Sequence, residues 1–291
     1  MNQLRGILLV SLGAASYGIL ATIVKYASNN GAHISALTFY QALVGVVSLF
    51  ILMKLDNRKL PSSTKTPIKS RRNLLLYGSS MGFTSCFYYL SVQELSVSIG
   101  IVLLMQSIWM SIVWEMIQQR KWAHWTKLIG TLLVLLGTLL TTKLFHQQLS
   151  LSIIGVVFGL LAALSYTVSL FASNQVETTI SPTTRSFYLV LGGFIVVIAF
   201  WNVQLFEHLD TLVLVKYGLI LGLFGTVIPP LMFTKGVPLI GIGLAGILAV
   251  LELPVSVLSA RFVLGETLDL IQWTGILIIV ITVVYINWKK R

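Results

Sequence analysis

The sequence predicts an all-α integral membrane protein whose ten transmembrane helices form two inverted five-helix repeats. Three observations predict it. Apolar stretches near the roughly 20 residues that a helix needs to cross about 30 Å of hydrocarbon fill almost the whole 291-residue chain. Lys and Arg collect in alternate connections, and short motifs recur in the same order in the two halves. Charged residues are 10% of the chain and hydrophobic ones 56%, with mean hydropathy +0.89, which excludes an ordinary soluble core.

The stretches run at about 6–24, 34–53, 74–93, 95–114, 128–142, 151–173, 186–206, 217–234, 236–260 and 270–288. Arg5 precedes the first, and Gly13-Ala14-Ala15-Ser16 resembles a cleavage site. Apolar character continues to Val24, longer than a signal h-region, so this reads as an uncleaved helix. Span two ends at the basic 54–72 connection. Span three carries Thr84, Ser85, Tyr88 and Tyr89, together with the single cysteine, Cys86, which has no partner for an intrachain disulfide. Gln106 lies within span four. Span eight contains Pro229-Pro230, where an interrupted helix would serve as a hinge or stand as a static kink. Glu252 and Pro254 interrupt the apolar run of span nine.

With both ends placed on the cytoplasmic side, sixteen of the twenty Lys and Arg fall there, including Lys54, Arg58, Lys59, Lys65, Lys69, Arg71 and Arg72 between spans two and three, and Arg185 before span seven. Lys25, Lys143, Lys216 and Arg261 lie toward the other face. This positive-inside bias sets the orientation and accounts for the net charge of +11 without a nucleic-acid partner. Lys25 and Arg261 read as interfacial anchors or as attractors for a substrate carboxylate.

Residues 1–145 and 146–291 read as two copies of one unit. Ala14-Ala15-Ser16-Tyr17 matches Ala163-Leu164-Ser165-Tyr166, Phe39-Tyr40 and Gly45 match Phe187-Tyr188 and Gly193, and Tyr77-Gly78-x-x-x-Gly82 matches Tyr217-Gly218-x-x-x-Gly222. An odd number of spans per unit makes the second copy enter from the opposite side. Halves inverted in this way rock about a central site and expose it to each side in turn. The glycine pairs, with Gly155-x-x-x-Gly159, mark close helix contacts.

These motifs, with Glu252-Leu253-Pro254, Leu264-Gly265-Glu266 and Gly275 near the C-terminus, resemble the EamA type of the drug/metabolite transporter superfamily over essentially the whole chain. The resemblance implies a multi-pass secondary transporter of the cell inner membrane that exports a small metabolite, amino-acid-like or an amphipathic cation. It also implies a cavity drawn from helices one, three, four, six, eight and nine. The chain departs from the family pattern where Leu253 separates Glu252 from Pro254. Arg120-Lys121 replace a Gly-Glu, span four lacks a proline, and Gln41 stands near the family's helix-two Arg.

Glu252 is the acidic residue that the span assignment places near the bilayer midplane. A charge there is costly, so its carboxyl reads as a proton-coupling or substrate-ammonium site, or as a protonated structural group. Gln106 lies near its repeat-mate position. Ser16-Tyr17 and Ser165-Tyr166 sit mid-span, where hydroxyls and rings suit either substrate or helix packing. With Tyr89 these are the candidate substrate-binding residues: Tyr17, Gln106, Tyr166, Glu252, Ser16, Ser165 and Tyr89. The expected partners are a small-molecule substrate and the lipid bilayer, as monomer or homodimer, with no nucleic acid, no cofactor and no metal.

Gly78-Ser79-Ser80-Met81-Gly82 fits the G-x-S-x-G pattern, but that motif needs a strand-turn-helix corner and a His/acid pair. His33, His124, His146 and His208 all fall at loops or span ends. No H-E-x-x-H metal pair, Walker loop or dinucleotide turn occurs, which argues against an ATP-driven pump; an intramembrane enzyme and a passive channel stand as the alternatives to a carrier.

Overall fold

The computed structural model describes residues 2–57, 66–95, 97–142, 152–208, 211–265 and 267–288. Among these the regular structure is helical: α1 Asn2–Asn29, α2 Ile34–Asn57, α3 Ile68–Glu94, α4 Val97–Leu104, α5 Ser107–Gln119, α6 Trp125–Thr141, α7 Ile153–Gln175, α8 Pro182–His208, α9 Thr211–Ile240, α10 Ile242–Ala249, α11 Glu252–Leu264 and α12 Leu270–Trp288. Seven stretches are long and apolar enough to cross a membrane: α1, α2, α4 with α5, α7, α8, α9, and α10 with α11. α6 and α12 are shorter apolar helices. α3 is long but carries Lys69, Arg71 and Arg72 in its first turns and a row of hydroxyls after them.

Helix contacts are reciprocal between the halves. α3 packs along α8 and α7, and α9 packs along α2 and α1; the broken pair α4 and α5 lies on α7, and the broken pair α10 and α11 lies on α1. α6 and α12, the last helix of each half, pack on each other. Exchanging first-half helices for their second-half counterparts reproduces these contacts, whereas the packing of α9 on α7 and of α5 on α10 has no equal counterpart. Glycines permit the closest of these approaches: Gly78, Gly82, Gly192 and Gly193 let the α3 and α8 backbones touch, and Gly137 and Gly275 do the same for α6 and α12.

The boundary between the eighth and ninth spans lies later than the hydropathy pattern suggests. Helix α9 runs on through Lys235 and Pro238 to Ile240, and the turn comes at Gly241, whose φ of +83° suits glycine. Pro238 is tolerated because the carbonyl it strips of a helical donor, that of Thr234, accepts instead from Arg185 Nη1 at 3.2 Å. Arg185 itself is 2% exposed, although its sequence position suggests a solvent-facing cation. Its remaining donors reach the last turn of α7: Nε to Val176 O at 2.9 Å, and Nη2 to Ala172 O at 3.1 Å and Ser173 O at 2.8 Å. One guanidinium therefore caps α7 and ties it to α8 and α9. Beside it, in the α7–α8 turn, hydrogen bonds from Ser70 and Asn73 hold the Glu177 carboxyl below its usual range.

Span eight is also irregular. Two π-helical turns, Leu214–Gly218 and Leu223–Val227, precede Pro229-Pro230. In the second, Ile228 N–H bonds Leu223 O, and the next donor along would be Pro229, which has none. The Phe224 carbonyl so released accepts from Ser16 Oγ at 2.6 Å.

Candidate functional site

Spans four and nine are both broken near their centres. α4 gives way to α5 at Met105-Gln106, and α10 to α11 at Val250-Leu251. At the break in span four two backbone amides, and at that in span nine three, bond three residues back instead of four, so the helix tightens locally and changes direction. In span nine, Leu251 N reaches Leu248 O at 3.1 Å and Leu253 N reaches Val250 O at 3.0 Å. The cause is Pro254, which cannot donate to the Val250 carbonyl.

Glu252 is the first residue of α11, at the positive end of that half-helix. Close packing of α1 holds it there: a side chain at Gly18 would strike the Glu252 carbonyl and the Ser256 amide. Thr22 Oγ1 of α1 continues the same seam, 2.5 Å from Ser259 Oγ and 3.2 Å from Ser256 O.

Three phenols from three helices stand within electrostatic reach of the Glu252 carboxyl: Tyr17 of α1, Tyr88 of α3 and Tyr166 of α7. Glu252, Tyr17 and Tyr88 lie among the helices and each retains part of its accessible surface. The Tyr166 hydroxyl is buried and has no hydrogen-bond partner among the described residues. The Tyr17 ring meets Phe233 edge-on, with centroids 6.0 Å apart, which supplies an apolar wall.

The broken spans pack tightly on each other at one end and loosely at the other. α5 packs along α10, where Gly243 faces Glu115 and Gly246 faces Ser111. Every residue from Ile242 to Val250 is buried. Lys127 of α6 pairs with Glu115 at that end. The opposite halves, α4 and α11, do not pack in this way, and Val255 to Ser259 keep part of their surface accessible.

The other candidates from the sequence lie as follows. Ser16 is 4% exposed and bonded to the α9 backbone. Ser165 is partly accessible beside Tyr166. Tyr89 lies in an aromatic cluster with Trp201 at 4.5 Å and Phe200 at 6.5 Å between ring centroids. Its neighbour Tyr88 is the one within electrostatic reach of the carboxyl; consecutive helical residues point about 100° apart, and no sequence signal separated the two. Gln106 bonds within its own helix, Nε2 to Val102 O at 3.0 Å, and accepts from Trp109 Nε1 at 3.0 Å. Gly78 to Gly82 lie inside α3, with Ser80 Oγ bonded to Tyr77 O at 2.6 Å, so the G-x-S-x-G pattern forms no nucleophile elbow. No group of three or more His, Cys, Asp or Glu suited to a metal occurs among the described residues. An apolar groove of about 430 Å³ between α5 and α7, lined by residues such as Trp109, Val113, Leu160 and Leu164, contains none of the residues around Glu252.

A helical membrane protein of two matching halves, with a carboxyl group at the break of one discontinuous span, belongs to the class of polytopic membrane transporters. The family model of EamA-like transporters matches the chain twice, over residues 4–143 and 153–288, and the chain belongs to that family. No curated protein matches it by sequence. Among solved structures, one crystal structure of a protein superposes with a TM-score of 0.73 at 14% identity, covering 94% of this chain and 95% of that one. That likeness concerns the fold alone.

Proposed function

We propose that the protein is a secondary carrier of the cell inner membrane that moves a small organic solute bearing a positive charge, by alternating access. The observation that carries this reading is Glu252: a carboxylate at a helix break, with Tyr17, Tyr88 and Tyr166 within electrostatic reach. An ammonium group suits that setting twice over, by charge pairing with the carboxylate and by cation–π attraction to the rings. The aromatic faces and Phe233 take up the apolar part of the solute.

In this reading the ten spans form inverted halves with both termini cytoplasmic, and the reciprocal helix contacts support that two-fold relation. The closed α5–α10 end then faces the cytoplasm and the loose α4–α11 end faces outward. Glu252 exchanges a proton for the solute, and the inward proton gradient drives export. Gly18 and the Thr22–Ser259 contact keep α1 and α11 together as one moving unit.

The test is a thermal-shift screen of the purified protein against amino acids, nucleosides and organic cations, followed by counterflow in proteoliposomes with any ligand that stabilises it. Trans-acceleration of uptake by internal ligand is expected of a carrier. Uptake that ignores internal ligand marks a channel, and chemical conversion of the ligand marks an enzyme.

A further inference from the structure

The break in span four has the geometry of the break in span nine without its proline. Gln106 N reaches Leu103 O at 3.0 Å, as Leu251 N reaches Leu248 O at 3.1 Å; Ile108 N reaches Met105 O at 3.1 Å, as Leu253 N reaches Val250 O at 3.0 Å. Met110 N and Val255 N then each resume four-residue bonding at 3.3 Å, to Gln106 O and Leu251 O. These bonds set Gln106 opposite Leu251 and Trp109 opposite Pro254; the breaks differ one residue earlier, where Met105 N keeps a four-residue bond to Ile101 O at 2.9 Å and Val250 N reaches Ile247 O at 3.4 Å. A helix in an apolar medium has no reason to give up a four-residue bond unless the abandoned carbonyl finds another donor. Pro254 removes the competing amide outright. In span four nothing removes it, since Trp109, the counterpart of Pro254, has its own N–H.

We infer that Gln106 and Trp109 are a positioning pair that holds the break in the first half, as Pro254 by a different device holds that in the second: Gln106 Nε2 takes the Val102 carbonyl that its own backbone amide has left, and Trp109 Nε1 holds the Gln106 side chain in place. Both contacts are made at 3.0 Å. The amide oxygen and the amide nitrogen of Gln106 are thereby each engaged within span four, which assigns Gln106 to shaping the break. Its effect reaches the closed end of the bundle, because the direction of α5 after the break sets how Ser111 meets Gly246 and how Glu115 meets Gly243 across the α5–α10 seam. The same geometry explains how a family member without a span-four proline keeps two matched breaks. For its consequence in transport, the inference rests on the reading of spans four and nine as the moving pair around Glu252.

The experiment is hydrogen–deuterium exchange over residues 101–110 in lipid nanodiscs, without any solute. In Gln106→Leu the Val102 carbonyl has lost its side-chain donor and recaptures the backbone amide, the helix straightens, and exchange at positions 106 and 108 slows about tenfold as four-residue bonds re-form. Adding Trp109→Pro to Gln106→Leu restores the break and returns exchange to within about twofold of the wild type. Trp109→Phe, which deletes only the indole donor, moves exchange in the same direction by a smaller factor and decides the matter if Gln106→Leu does not fold. Unchanged or faster exchange in the folded variants overturns the inference. A second arm uses tetraphenylphosphonium as the probe cation: its dissociation constant stays within about threefold of the wild-type value in Gln106→Leu, and a loss beyond tenfold with unchanged exchange makes Gln106 a ligand and overturns the positioning role. If this cation binds neither protein, the proposed solute class loses support while the exchange arm still decides the role of Gln106.

Discussion

Arg185 offers the largest structural perturbation that leaves the Glu252 site untouched. Its guanidinium makes four bonds to backbone carbonyls, at 2.8 to 3.2 Å, in α7, the turn after it and α9. Hydrogen bonds to a charged group contribute about 1.5–3 kcal/mol each, so the four together are on the order of 6–12 kcal/mol gross. Against this stands the desolvation of one buried ion, which costs several kcal/mol. The net loss for Arg185→Met is then about 3–5 kcal/mol. At roughly 2–4 °C per kcal/mol for a chain of this size, the apparent Tm falls on the order of 10 °C. Arg185→Lys keeps the charge but lacks the planar fork, and is expected to lose about half as much. The assay is thermal unfolding of detergent-purified variants followed by size-exclusion fluorescence. A Tm for Arg185→Met within about 2 °C of the wild type refutes the reasoning, and shows that the α7 end and the Thr234 carbonyl are satisfied without the guanidinium.

Two further outcomes follow from the same geometry. Ser16→Ala leaves the Phe224 carbonyl without its side-chain donor and is expected to destabilise by about 1–3 kcal/mol while leaving ligand affinity unchanged; a thermal midpoint together with ligand titration checks it, and a loss of affinity without a loss of stability returns Ser16 to the binding site. In a Cys86→Ser background, Trp122→Cys, in the exposed turn before α6, is expected to react with an impermeant maleimide from the cytoplasmic side and Asn30→Cys from the other. Labelling of both from one side removes the orientation on which outward opening depends.

What the sequence made legible follows the physics of hydrocarbon. Long uncharged runs have no alternative but helices, so the spans were readable, and a lone carboxyl in the ninth drew attention to Glu252 before any contact was known. The order of the Ser-Tyr, Phe-Tyr and Tyr-Gly motifs disclosed the repeat, because each copy must meet the same neighbours. The interior was less legible where its logic is carried by carbonyls. A proline announces that a carbonyl four or five residues earlier needs a donor, but not which distant side chain supplies it. Ser16 and Arg185 answer Pro229 and Pro238 from other helices. Arg185 looked like one more cytoplasmic charge because positive-inside accounting registers where a residue lies along the chain and not how deeply it is buried. Tyr88 and Tyr89 share composition and depth, and the rotation of α3 separates them. The boundary near Gly241 was misplaced because hydropathy marks Lys235 and Pro238 as interruptions, whereas the backbone turns only where φ becomes positive.

The central claim is that Glu252 couples solute movement to proton movement. The most direct measurement is pH-gradient-driven transport by Glu252→Gln in proteoliposomes, compared with solute–solute exchange by the same variant. Glutamine keeps the size and hydrogen-bonding capacity of the side chain but does not ionise. The account predicts that gradient-driven transport is lost while exchange persists at a reduced rate; full gradient-driven transport by this variant contradicts it and leaves Glu252 as a structural member of the break.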